Sequence, residues 1–118
     1  MMEAGSSPSG AGAQTVVVLV TASSEAEATK IGNAAVEAGV AACANIVPHL
    51  TSLFRWKEKL STEQEVLIIL KSRLDLFQNL EEVIKRHHSY EVPEIIALPI
   101  VEGSASYLKW IIDSTVSR

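Results

Sequence analysis

His87-His88-Ser89-Tyr90-Glu91-Val92-Pro93-Glu94-Ile95-Ile96-Ala97-Leu98-Pro99-Ile100 carries the chain from the end of a helical pattern into an apolar strand, through a turn closed by Pro93. On its N-terminal side, Phe77, Leu80, Val83 and Ile84 recur at helical spacing and predict the inner stripe of a helix, with Ser72 as its cap and Asp75 three residues on. On its C-terminal side, Glu94 to Val101 predicts the last strand. After Gly103, Tyr107, Leu108, Ile111 and Ile112 predict a closing helix. The stretch also gathers two adjacent imidazoles and a phenol in a chain with three His and two Tyr. It is therefore the first place to look for chemistry or a bound ion.

Further out, Thr15-Val16-Val17-Val18-Leu19-Val20-Thr21 is β-branched and apolar throughout, as a central strand requires. Ser24 and Glu27 give the S-x-x-E signature of a helix start, and Gly39 suits the left-handed position that ends the helix. Its inner face, Ala28, Ile31, Ala35 and Ala38, is small enough for close packing. Between these helices lies a long hairpin. Ala42 to Trp56 runs out, with Leu50, Ser52, Phe54 and Trp56 on one face and Thr51, Leu53 and Arg55 on the other. Pro48 implies a bulge or an edge. Lys57-Glu58-Lys59 is the polar tip, and Glu63 to Ser72 returns with Val66 to Leu70 as its buried centre.

The element order is strand, helix, strand, strand, helix, strand, then an extra helix. That order predicts an α+β fold of the ferredoxin-like split β-α-β type, an antiparallel sheet with helices on one face. Fourteen extended residues from Ala42 to Arg55 reach ~46 Å at ~3.3 Å each. A compact domain of this size has a radius of gyration of only ~13 Å. The hairpin overshoots its own domain, and uncovered strands bearing Leu53, Phe54 and Trp56 invite another copy, so a closed homo-oligomer is expected.

Composition narrows the function. Ten basic residues against fourteen acidic give a net charge of −4, which speaks against nucleic acid and against a polybasic membrane anchor. No apolar run reaches the ~18 residues of a membrane span. Cys43 is the single cysteine, so no intrachain disulfide forms and a reducing, cytoplasmic setting is expected. Residues 1–14 are almost wholly Gly, Ser, Ala and Pro and are expected to form a flexible tail before a single domain, 15–118. If the tail is a processed transit remnant, the compartment is an organelle instead.

His87 and His88 flank the apolar stripe of their helix. Neutral imidazole is a common metal ligand, but ligands on one helix usually sit four apart, and both rings also suit a helix C-terminus. Cys43, in Ala41-Ala42-Cys43-Ala44, reads more simply as a small core residue. Facing the His pair, it would complete a soft site for copper or zinc. Tyr90 and Glu91 suit either a ligand cleft or a tied turn, and Arg55 with Trp56 either a stacking site or an interface anchor. Glu63, Glu65, Glu81 and Glu82 read as solvated charges. No Gly-rich phosphate loop, G-x-S-x-G or paired-carboxylate spacing is present, so binding is expected rather than catalysis, with no organic cofactor.

Three segments, Ala41 to Pro48, Thr51 to Trp56 and His88 to Pro99, together with Tyr107-Leu108-Lys109-Trp110, resemble the CutA divalent-cation tolerance proteins, from about Val16 to Ser114. The resemblance implies a ferredoxin-like fold, a homotrimer joined through its hairpins, and a link to copper and other divalent ions without an established reaction. It implies His87 and His88 as metal ligands, and Cys43 falls on the family's A-A-C motif. Trimers of the PII signalling type are similar, so a small ligand in the subunit clefts, near Arg55, Trp56 and Tyr90, is the alternative; a scaffold for a partner protein is another. Two departures stand out. Some members place a metal-binding thiol where this chain has Val20, and the usual W-x-G-K tip here reads Trp56-Lys57-Glu58-Lys59.

Overall fold

The apolar run near the N-terminus forms β1, Thr15–Ala22, in the computed structural model, which describes residues 14–116. The sheet order is β2-β3-β1-β4, every neighbouring pair antiparallel, as the element order predicts. Alternation along β1 places Val16, Val18, Val20 and Ala22 in the core, opposite Ser72, Leu70, Ile68 and Val66 of β3. Two helices cover that face: α1, Glu25–Glu37, and α2, Phe77–His87. Val20 lies in this core and is fully buried.

Local chemistry explains the boundaries of α1. The Ser24 hydroxyl accepts from the Glu27 amide at 3.1 Å. At the far end Gly39 takes φ 77°, the Gly39 amide donates to Val36 and the Val40 amide to Ala35, which satisfies the last carbonyls. Small residues let α1 lie close to the sheet: a Cβ on Gly32 would sit 3.1 Å from that of Ala44.

The hairpin is longer than its sequence pattern suggests. β2 is Cys43–Trp56 and β3 is Lys59–Arg73, so the return strand starts at the tip rather than at Glu63. Lys59 pairs with Trp56, leaving Lys57 and Glu58 as a two-residue turn. Pro48 does mark a bulge, with the register shifting between Val47 and Leu50 and His49 at φ 65°. The result is an arm, and the molecule measures 47 × 26 × 21 Å with a radius of gyration of 15.3 Å, well beyond the compact value.

Ser72 does not cap α2. It remains in β3, fully buried, with its hydroxyl donating to the Val40 carbonyl at 2.6 Å. A 3-10 turn, Leu74–Leu76, intervenes, and Asp75 instead pairs with Arg73 at 2.6 Å. β4 is Ile95–Pro99, and α3 is Ala105–Asp113, opened by Ser104 accepting from the Tyr107 amide and anchored by buried Ile111. Of the expected tail, residues 1–14, only Gln14 lies among the described residues. Its side chain donates to the carbonyls of Thr15 and Ile100. Among the described residues, no helix is long and apolar enough to cross a membrane.

Candidate functional site

Pro93 and the end of α2 place the His87–Glu94 segment across the mouth of the sheet. β4 begins at Ile95 opposite Val20, so β1 continues past its neighbour. The Thr15 carbonyl accepts from Ile100, and by strand alternation the Thr21 carbonyl points to the same side, beyond the end of β4. His88 fills the gap. Its Nε2 lies 2.8 Å from the Thr21 carbonyl, and its Nδ1 accepts from the Tyr90 amide at 3.0 Å. A backbone acceptor on one nitrogen and a backbone donor on the other fix a neutral ring protonated at Nε2. The side chain is fully buried. Both nitrogens are occupied, which leaves His88 no lone pair for a metal.

His87 differs. Its Nδ1 is buried and has no hydrogen-bond partner among the described residues. Cys43 lies elsewhere: it pairs with Lys71, which pairs with Val17, four residues along β1 from Thr21. That separates Cys43 from the His88 contact by about 13 Å along the sheet. The thiol sits 3.9 Å from the Tyr107 hydroxyl, a contact that raises the phenol's pKa. The single chain therefore does not bring Cys43 to the imidazoles. No group of three or more His, Cys, Asp or Glu able to hold a metal occurs among the described residues.

Around His88 sits an acidic shell. One Glu27 oxygen, Oε1, accepts from the Ser23 hydroxyl at 2.8 Å and the Ser23 amide at 3.2 Å; the other, Oε2, accepts from the Ser89 amide and lies 3.8 Å from His88 Nδ1. Burial pushes the Glu27 pKa up, but the bonds from Ser23 and Ser89 outweigh it and the net shift is downward. Tyr90 packs against His88 in a tilted ring contact, centroids 4.8 Å apart, and donates its hydroxyl to Glu65 at 2.6 Å. Burial first, then the Glu65 carboxylate, with Glu63 and Glu27 behind it, hold the phenol pKa well above its ordinary value. Glu65, expected to be solvated, is only 8% exposed.

The other candidates separate. Tyr90 meets the arm at its root, where Glu65 pairs with Leu50, whereas Arg55 and Trp56 lie at the tip, about 20 Å further out. Glu91 is exposed. Residue patterns locate the imidazoles and the phenol but mark Glu27 only as part of a cap and Glu65 only as a surface charge. The contacts that bring them to the site, from the Ser89 amide to Glu27 and from the Tyr90 hydroxyl to Glu65, span 62 and 25 residues and leave no local signal.

The family described as CutA1 divalent ion tolerance protein matches residues 16–114, which is most of the described fold. The chain belongs to that family. A divalent-cation tolerance protein CutA of Thermus thermophilus is 48% identical over 99 residues, covering 84% of this chain and 96% of its own. The protein named CutA, chloroplastic, of Arabidopsis thaliana is 42% identical over 101 residues, covering 86% of this chain; the chain spans 56% of that relative's length. The crystal structure of CutA1 from Oryza sativa superposes with a TM-score of 0.86 at 38% identity, over 89% of this chain and 96% of that one. The ferredoxin-like expectation therefore agrees both with the sheet order and with a solved CutA1 structure. The family name describes tolerance of divalent ions and specifies neither the ion nor an assembly.

Proposed function

We propose that this chain acts in divalent-cation tolerance as a closed homotrimer that binds ions such as copper and catalyses no reaction. The observation that carries the reading is the arm. Leu53, Trp56 and Leu60 are 76%, 58% and 81% exposed on strands that project beyond the domain, a surface a single copy leaves uncovered. The borders of the sheet are β2 and β4, with no further strand beside either among the described residues. A monomer at micromolar concentration in sedimentation velocity would refute the assembly.

The residues of one chain do not make a full copper site, since His88 is spent on Thr21 and Tyr90 and Cys43 is remote. His87 is the donor this chain offers, because its buried Nδ1 is unmatched. Copper supplies Lewis acidity and a preference for imidazole donors; a site built on His87 takes its remaining ligands from elsewhere in the assembly. Copper titration by calorimetry tests this. His87→Ala should weaken the tight step at least tenfold, and unchanged binding would reject His87. The alternative, a small-ligand cleft near Arg55, Trp56 and Tyr90, needs neighbouring subunits to form, because in one copy the tip and the root of the arm lie apart.

A further inference from the structure

We infer that the arm tip of one copy seats its Arg55 side chain in an acidic recess at the root of the next copy's arm. The inference rests on the oligomeric reading above and adds the contact through which one copy holds the next.

Charge is sorted along the arm. Arg55, Lys57 and Lys59 stand at the tip against Glu58 alone, while Glu63 and Glu65 lie toward the root. Among the described residues no carboxylate pairs with any of the three tip cations. Lys57 leans over its neighbour Trp56, with its ammonium 6.0 Å from the ring centre.

At the root lies an open recess of about 160 Å³ lined by Ser23, Glu25, His49, Gln64, Glu65 and Val66. Two acidic residues, Glu25 and Glu65, and one histidine are among its lining residues, and no lysine or arginine is. Its walls are held in place: Gln64 donates to the Thr51 hydroxyl at 3.0 Å, Tyr90 holds Glu65, and the bulge holds His49 at positive φ. A guanidinium suits such a recess, because it is planar, always charged and able to give a carboxylate two parallel donors.

The apolar surface agrees. Leu53 shares a strand face with Arg55, and Leu60 pairs directly with Arg55, so the two most exposed leucines of the arm flank the proposed anchor. Covering them excludes water around the ion pair and strengthens it. About 20 Å of strand separates tip from root, so a copy cannot serve its own recess. A tip that fits the root of its neighbour is a head-to-tail contact, the kind that closes into a ring.

Charge reversal tests the contact. Isotope-labelled and unlabelled pools of wild type, Glu25→Lys, Arg55→Glu and the double variant are mixed, and subunit exchange is followed by native mass spectrometry. Each single reversal should speed exchange at least tenfold, and the double variant should return to within about threefold of wild type. Arg55→Gln, which removes the charge without repulsion, should give a smaller change of the same sign. Single variants that exchange like wild type, or a double variant whose effects simply multiply, overturn the inference. A wild type that is monomeric overturns the oligomeric reading instead, so the two failures are distinct.

Discussion

At the scale of single residues, His88 illustrates how a side chain that looks like a ligand is used as structure. Its ring replaces the missing end of β4, bonding a β1 carbonyl that would otherwise face no strand. His88→Ala should therefore lower stability by about 3 kcal/mol, from an emptied site and two unmatched backbone groups; urea unfolding measures it. Tyr90→Phe leaves the buried Glu65 carboxylate without its donor, at a cost of about 2 kcal/mol. Because the folded-state pKa of Tyr90 is raised, this bond contributes fully below pH 10 and is lost as pH rises beyond it, so the two proteins should converge in stability in alkali. Glu27 has the opposite sign. Its depressed pKa means its contribution is present above 4.5 and lost as pH falls through the lower folded value, and Glu27→Gln should flatten the acid limb of the stability profile. The imidazoles were legible as a place but not as roles, because the partners that fix His88, Thr21 and the Tyr90 amide, are supplied by the fold.

The elements were legible wherever local chemistry decides. Ser24 and Gly39 bound α1, and Pro48 marks the bulge, because a capping hydroxyl, a left-handed glycine and a missing amide act within a turn of the chain. Ser72 was not legible: a cap motif and a buried strand hydroxyl share one sequence, and only the Val40 carbonyl, 32 residues away, decides between them. The tip deviates from the usual chemistry of tight hairpins, since Lys57 and Glu58 hold φ of 52° and 66° where asparagine and glycine are favoured. A side chain there costs about 1–2 kcal/mol. Glu58→Gly should raise stability by about 1 kcal/mol after the extra freedom of glycine in the unfolded chain is subtracted, and should raise the thermal midpoint without moving the copper titration.

For the whole molecule, the excess of arm over body was predictable from counting residues, and the 47 Å long axis agrees with it. What counting did not give is direction. That is set at Pro48 and His49, where two residues of β2 span one of β3 and the strand bends. In the proposed trimer, each arm's heading would fix the angle between successive copies, and those angles must sum to one full turn. Deleting one bulge residue would keep the cross-strand partners beyond Leu50 yet straighten the limb. Every junction would then err by the same amount, and copies would add along a spiral without an end. In the proposed ring, the bend beside Pro48 acts as the gauge that makes it finite.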